Sequence, residues 1–165
     1  MLLSRVMSKP ASHSPSPDAK IHGHGLRMTD QRRAVYDVLM GKRDHPTAVE
    51  VFTRVREKVP SISLATVYNC LETLTDCGLA KTVADERGPA RYCPNLEEHA
   101  HFFCEDCGGV SDIPLRSRRR PEDVWEFPQN LVIAHHEVAF RGKCPKCAAE
   151  ASAEASAKAK TAKRN

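Results

Sequence analysis

The chain lacks any apolar run that approaches the roughly 20 residues of a membrane-spanning helix, and it lacks the internal repeats that build solenoids. It also has no apolar leader segment, so we expect a reducing cytoplasm in which thiols stay free. The net charge is only +4, which makes charge alone a weak argument for nucleic-acid binding. What remains is a soluble globular protein of 165 residues with no membrane partner, 28% charged and 41% hydrophobic.

Shifts in composition divide this chain into segments. Residues 1–22 are rich in Ser, Pro and His, and residues 148–165 are almost wholly Ala, Ser, Glu, Lys and Thr. Both ends are expected to be disordered tails, although the alanines of the second would also suit a frayed helix. Between them we expect a helical domain at 23–93, a hinge at 94–98 and a domain dense in Cys and His at 99–147.

The helical domain has three amphipathic segments with recognisable ends. Thr29, Thr47 and Ser63 each precede an apolar pattern of helical period and are predicted to be N-caps. Glu50 follows Thr47 by three residues, which is the pattern of a capping box. Gly78 is predicted to end the third helix.

A hairpin is predicted after these helices, with short strands at 79–84 and 90–93 around the turn at 85–88. Three helices followed by a two-stranded ribbon are the elements of a winged helix-turn-helix, which places its third helix in the major groove of DNA. Helices with one polar face are common, however, so the pattern alone leaves DNA binding open. The candidates are three polar residues of the third helix and four arginines near the phosphates, namely Thr66, Tyr68, Asn69, Arg32, Arg33, Arg54 and Arg56.

Two Cys-x-x-Cys pairs are the strongest chemical signal in the sequence. Cys104 pairs with Cys107, Cys144 pairs with Cys147, and 36 residues separate the two pairs. Four thiolates with this spacing suit a tetrahedral structural zinc ion. Disulfides are the alternative, but the expected reducing environment favours zinc.

The rest of the second domain is predicted to contain strands at 100–104, 109–113 and 131–141. Between them, residues 117–130 contain a run of three arginines, Pro121 and Pro128. Pro121 is compatible with a first helical turn and Pro128 would end the helix soon after, so only a short helix is expected there. The fold class predicted is therefore α+β, and the basic run is expected to be a solvated loop.

Several segments, taken in order, resemble the ferric uptake regulator (Fur) family. They are His45-Pro46-Thr47-Ala48, Ile62-Ser63-Leu64-Ala65-Thr66-Val67-Tyr68-Asn69, Arg91-Tyr92, His99-Ala100-His101, Cys104-Glu105-Asp106-Cys107-Gly108 and Gly142-Lys143-Cys144-Pro145-Lys146-Cys147. The resemblance implies a homodimeric, metal-responsive transcriptional repressor that binds a palindromic operator in double-stranded DNA. It also implies an N-terminal winged helix and a small C-terminal α/β dimerisation domain.

The same resemblance implies a regulatory metal between the two domains. Its ligands are carried over position by position onto His45, Cys93, His99, His101 and Asp112. Independently, His99 and His101 alternate along a predicted strand, so both side chains face one side. An auxiliary metal of some relatives has a poor match here, because Ala100 and Arg119 replace frequent acidic residues, which leaves His135 and His136 weak candidates.

Cys93 stands where iron- and peroxide-responsive members often have a carboxylate, and it resembles the zinc-uptake (Zur) branch. A soft thiolate suits zinc better than iron(II), so Zn²⁺ is expected as the regulatory ion, with Fe²⁺ or Mn²⁺ as alternatives. The other four ligands are shared with the peroxide-sensing (PerR) branch, which stays open. Cys93 could also be a small core residue, and Cys70 and Cys77 are interpreted as structural because no His or acid accompanies them.

Two functions outside this family also use paired cysteines. A zinc deaminase needs a His-x-Glu whose Glu moves protons, whereas this chain has His99-Ala100-His101, so an enzyme is not expected. A zinc-ribbon module would bind a protein partner through the second domain alone. The winged-helix half argues against that module, and metal-dependent DNA binding would separate the two.

Overall fold

The computed structural model describes residues 15–84, 88–116, 123–133 and 136–162, with the side chains of the last helix described as far as residue 155. Within these described residues the elements in chain order are five helices and five strands: α1 (Pro17–Gly23), α2 (Asp30–Gly41), α3 (Ala48–Arg56), α4 (Leu64–Asp76), β1 (Lys81–Val83), β2 (Arg91–Cys93), β3 (His99–Cys104), β4 (Val110–Pro114), β5 (Ala139–Gly142) and α5 (Pro145–Ala162). Among the described residues no helix is long and apolar enough to cross a membrane.

The predicted helix ends are confirmed. The hydroxyls of Thr29, Thr47 and Ser63 accept from backbone N–H groups in the first turns of α2, α3 and α4, and Thr47 and Glu50 form both bonds of a capping box. Gly78 ends α4 with a φ of +62°, in the left-handed region that suits glycine. Helices α2, α3 and α4 pack around a shared apolar core.

The predicted hairpin is present, with β1 antiparallel to β2; its turn at 85–87 lies outside the described residues. Strand β2 also runs back against the start of α3, where Thr47 forms a bridge with Arg91 and Tyr92 N–H donates to Pro46 O. A three-stranded sheet follows in the order β4-β3-β5, with β3 antiparallel to β4 and parallel to β5. The α+β class and the winged-helix order are thus confirmed.

Helices lie within both predicted tails, while residues 1–14 and 163–165 lie outside the described residues. Residues 17–22 belong to α1, because Ile21 is fully buried among the helices of the first domain and a Lys20 ammonium donates to Gly78 O at the end of α4. Residues 148–162 continue α5, as the high helix propensity of alanine allows. One apolar residue in a polar segment is too weak a signal to reveal α1 from sequence.

The segment between β4 and β5 also needs correction. The predicted strand at 131–141 is only four residues long and lies at Ala139–Gly142, since residues 131–133 form no ladder. Residues 123–130 contain turns and a single 3₁₀ position rather than an α-helix, while Arg118, Arg119, Arg120 and Pro121 lie outside the described residues. Pro128 has no N–H for a helix, which agrees with this irregular path.

Candidate metal centres

The four paired cysteines come together in one cluster, here called the four-thiol cluster. Their sulfur atoms all lie within 4.8 Å of one another, and the thiols are free. The parallel ladder explains the meeting, because Cys104 at the end of β3 is opposite Gly142 at the end of β5. Cys144 then precedes α5 and Cys147 lies in its first turn. This is the predicted arrangement for a structural zinc ion.

Backbone amides point at this cluster. Cys144 N–H donates to Cys104 Sγ over 3.2 Å, and N–H groups of Cys107 and Cys144 lower the pKa of Cys104 to about 6. A hydrogen bond to Cys144 and burial raise the pKa of Cys147 to about 12. Lys143 Nζ lies 2.9 Å from Asp106 Oδ2, and this ion pair joins the segment of the second Cys-x-x-Cys pair to that of the first. Thiols held this close without disulfides fit a metal, which would remove the remaining protons.

A second cluster, here called the junction cluster, joins the two halves of the chain. It consists of the five residues that the family resemblance implied, His45, Cys93, His99, His101 and Asp112, whose donor atoms also lie within 4.8 Å of one another. The loop between α2 and α3 supplies the first residue, the end of β2 the second, and β3 and β4 the others. His101 and Asp112 meet because they are register partners.

Oδ1 of Asp112 is at the centre of the junction cluster. It lies 2.7 Å from His45 Nε2, 3.2 Å from His99 Nε2, 3.9 Å from His101 Nε2 and 3.9 Å from Cys93 Sγ. The Nε2 atoms of His99 and His101 are 3.0 Å apart, and Cys93 Sγ is 3.5 Å from His99 Nε2. Nitrogen, sulfur and oxygen donors therefore converge on one point.

Burial favours the neutral form of the histidines in this cluster. It lowers the pKa of both His45 and His101, against the attraction of Asp112, and neutral imidazole is the form that binds metals. Burial would raise the pKa of Asp112, but a hydrogen bond from Asn95 and the nearby histidines lower it overall. Burial raises the pKa of the Cys93 thiol to about 11, so metal binding must displace its proton.

The burial and the backbone conformation of His45 indicate a metal ligand. It is 1% exposed, and among the described residues neither of its ring nitrogens is satisfied by a hydrogen bond, although Nε2 lies 2.7 Å from Asp112 Oδ1. Its φ of +51° lies in the left-handed region, which costs a non-glycine residue of order 1 kcal/mol. A buried imidazole whose nitrogens lack hydrogen bonds, held in a strained backbone and facing four more donors, fits a divalent ion.

The seven candidate DNA contacts are placed differently from one another. Tyr68 and Asn69 are exposed on α4, whereas the Thr66 hydroxyl is half-buried and hydrogen-bonded to Ser63. Among the arginines, Arg33 is bound to Asp18 and Arg54 makes two bonds to Asp44. Arg32 donates to Arg27 O, and the Arg56 guanidinium lies over the Phe52 ring. The arginines thus have partners within the protein.

Sequence reasoning missed two residues that organise the junction. Arg91 donates to His45 O and to Gly108 O, both over 3.0 Å, and Asn95 donates to Asp112 Oδ2 over 2.8 Å. Arg91 belongs to a segment that carries the family resemblance, but the sequence alone indicates the contacts of neither residue, because their partners are distant in the chain. Of the weak auxiliary candidates, His136 lies 3.3 Å from Glu98 and His135 is outside the described residues. Cys70 and Cys77 are in the apolar core of the first domain, as interpreted.

Comparison with known proteins points to one family. The model of the ferric uptake regulator family matches residues 23–141, and the Cys144–Cys147 pair lies just beyond that range. The peroxide-responsive repressor PerR of Staphylococcus epidermidis is 31% identical over 132 residues, which cover 80% of this chain and 88% of that protein.

Solved structures agree with this match. The crystal structure of the Campylobacter jejuni peroxide stress regulator is 30% identical, with a TM-score of 0.59, and the match covers 77% of this chain and 96% of that one. The structure of the Helicobacter pylori ferric uptake regulator, described as having three functional metal binding sites, is 22% identical. Its TM-score is 0.61, with coverage of 78% of this chain and 86% of that one, so it shows the likeness of fold alone.

Proposed function

Because the chain belongs to the ferric uptake regulator family, whose members are metal-responsive transcriptional regulators and not enzymes, we propose that it is a repressor whose regulatory ion is zinc. Members of this family bind DNA as dimers. The proposal adds to this family membership a choice of metal, a division of labour between the two clusters, and a palindromic operator as the target.

The choice of zinc rests on the Cys93 thiol. It lies at the junction cluster, 3.5 Å from His99 Nε2, and it is fully buried. A thiolate beside three imidazoles is a borderline-soft donor set that favours zinc, whereas iron(II) and manganese favour nitrogen and oxygen ligands. The four-thiol cluster would hold a second, permanent zinc that stabilises the dimerisation domain.

The two clusters differ in what they join. The four-thiol cluster lies wholly within the second half, so its zinc would support that half at all times. His45 belongs to the winged-helix half, while His99, His101 and Asp112 belong to the sheet. A divalent ion bound at the junction would attract donors from both halves to one positive charge. With His45 held against the sheet, the hinge at 94–98 is fixed and the two recognition helices of a dimer keep one spacing.

A partner surface is exposed on the second half. Apolar side chains there stand open to solvent, and Val132 is 91% exposed. In this proposal these side chains belong to the surface that a second copy of the chain covers in the dimer. The side chains involved include Ile113, Leu115, Trp125, Phe127, Leu131, Val132, Ile133 and Phe140.

In this proposal α4 lies in the major groove. The exposed Tyr68 and Asn69 would read base edges, with Thr66 at the rim of the helix. Arg32, Arg33, Arg54 and Arg56 would contact phosphates from positions that their partners inside the protein have already fixed. The free thiols agree with a cytoplasmic location.

A peroxide-sensing repressor that uses iron or manganese is the second candidate. It is favoured by the names of the relatives at 30–31% identity, and an iron-uptake repressor belongs with it because four of the five junction ligands suit either. A zinc-ribbon interaction module would leave α4 without a role. A chain that bound protein but no DNA, with or without metal, would support that module.

The experiment is a titration of operator binding by each metal. Protein that retains its structural zinc is mixed with labelled operator DNA, and fluorescence anisotropy is followed as Zn²⁺, Fe²⁺ or Mn²⁺ is added. We expect zinc to promote binding at the lowest free concentration. Binding promoted by iron or manganese and lost after peroxide, with histidine oxidation detected by mass spectrometry, would instead support the peroxide sensor.

A further inference from the structure

Asn95 supports the junction cluster without being a ligand. It lies in the loop between β2 and β3, and its Oδ1 accepts from Glu97 N–H over 3.2 Å. This Asx turn fixes the direction of the side chain, so that its NH₂ group faces Asp112. The NH₂ group donates to Asp112 Oδ2 over 2.8 Å.

Because of that hydrogen bond, the two oxygens of Asp112 have different surroundings. Oδ2 is occupied by the amide, whereas Oδ1 faces the cluster, 2.7 Å from His45 Nε2 and 3.2 Å from His99 Nε2. Asp112 therefore directs one oxygen, Oδ1, towards the other four donors. With one atom from each of the five side chains, the junction has five converging protein donors among the described residues.

The number of donors matters because the candidate ions differ in what they prefer. Zinc is stable with four ligands and can expand to five, whereas manganese prefers octahedral sites rich in oxygen. If Asp112 could rotate, both of its oxygens would reach the ion, and the site would gain its sixth donor. That rotation would have to break the hydrogen bond from the amide of Asn95.

We propose that Asn95 is a positioning residue that sets the metal preference of the junction cluster, by restricting Asp112 to one oxygen and so disfavouring ions that need six ligands. This inference rests on the proposed regulatory site and extends it from the ligands to the residue that orients one of them. The backbone N–H of Asn95 also points at Cys93 Sγ, over 3.4 Å. A side-chain substitution leaves that contact in place, so the amide can be tested alone.

The test uses two variants and a control from the same loop. Asn95→Ser removes the amide but keeps an oxygen that can accept from Glu97 N–H, which preserves the turn, and Asn95→Ala removes both contacts. Glu97→Gln is the control, because the contact of this residue with His99 is made by its backbone carbonyl, 2.8 Å from Nδ1. Each full-length protein is first loaded with one zinc per chain and then titrated with Zn²⁺, Mn²⁺ or Co²⁺.

We expect the preference for Zn²⁺ over Mn²⁺ to fall by about tenfold in Asn95→Ser, the order expected when one hydrogen bond to a charged group is lost, and to stay unchanged in Glu97→Gln. Cobalt should report the cause, because four- and five-coordinate Co²⁺ absorbs strongly in the visible and six-coordinate Co²⁺ weakly. Its bands should weaken in both Asn95 variants.

Three results would count against the proposal. Equal weakening of Zn²⁺ and Mn²⁺ binding with unchanged cobalt bands would make Asn95 a purely structural residue and overturn this inference while leaving the zinc site intact. An unchanged preference in both variants would overturn it as well. A wild-type protein that binds no second ion would overturn the proposed function itself, and the inference with it.

Discussion

The Cys93 thiol is the side chain on which the choice of metal depends. Its position among three histidines and an aspartate follows from its place at the end of β2, where the hairpin meets the sheet. The sequence could supply this residue as a candidate only through the family resemblance, because Cys93 is 48 residues from His45 and 19 from Asp112 along the chain. Physical periodicity predicted only the His99 and His101 pair.

We predict that Cys93→Ser lowers the zinc affinity of the junction cluster by about 100-fold or more, beyond the 10–100-fold typical of residues that merely support ligands. The hydroxyl is a poorer donor to zinc than a thiolate. Zinc-dependent operator binding should shift accordingly in an anisotropy titration, while the dimer and the zinc of the four-thiol cluster persist. Cys77→Ser is the matched control, since that thiol lies in the first domain's core and outside both clusters. An unchanged zinc dependence in Cys93→Ser would show that Cys93 is no ligand.

Helices were the elements that could be predicted from sequence best. Their ends are marked by local chemistry, as the caps of α2, α3 and α4 show, whereas β5 and the path before it depend on a partner strand that is distant in the chain. Helix α1 was missed because its stability comes from tertiary burial of Ile21 rather than from any local pattern.

The burial of Ile21 predicts that α1 is part of the folded first domain. Ile21→Ala should reduce the free energy of unfolding by about 2–4 kcal/mol, since it removes a fully buried branched side chain from a packed core. Urea denaturation followed by circular dichroism measures this change. His22→Ala is the control, because His22 is exposed on the same helix. Equal stabilities of the two variants would contradict the packing of α1.

The capping box of α3 predicts a pH dependence. Hydrogen bonding to the backbone N–H of Thr47 lowers the pKa of Glu50 in the folded state, so its contribution is present above the unfolded pKa of about 4.3 and is lost as the pH falls through the folded pKa. Glu50→Gln cannot ionise. The stability advantage of wild type over this variant should therefore be complete above about pH 5 and shrink as the pH falls from about 5 to about 3. A constant difference in urea midpoints over that lower range would contradict the assignment.

In the whole molecule, the junction cluster and one arginine connect the winged-helix half to the sheet. The Arg91 guanidinium lies between the two halves, bonded to His45 O beside the junction cluster and to Gly108 O beside the four-thiol cluster. The order of the halves could be predicted from sequence because caps, turns and Cys spacing are local. Their mutual placement could not, because it depends on contacts such as this one.

We predict that Arg91→Met weakens zinc binding at the junction by about tenfold, because two carbonyls lose their shared donor and His45 loses its anchor. Isothermal titration of protein with its four-thiol cluster already filled measures the affinity. Arg56→Met is the control, since Arg56 is exposed and contacts Phe52 within the first half. Retained zinc at the four-thiol cluster and an intact dimer would show that the effect is confined to the junction; an affinity equal to wild type would show that Arg91 does not support the junction.

The most direct measurement counts the ions and the DNA affinity on one sample. Zinc per chain is determined by native mass spectrometry before and after mild chelation, and operator affinity is measured in both states. We predict two zinc ions per chain that fall to one on chelation, together with loss of operator binding that zinc restores. A single ion per chain at any zinc concentration, with operator bound equally well after chelation, would contradict a zinc-dependent repressor.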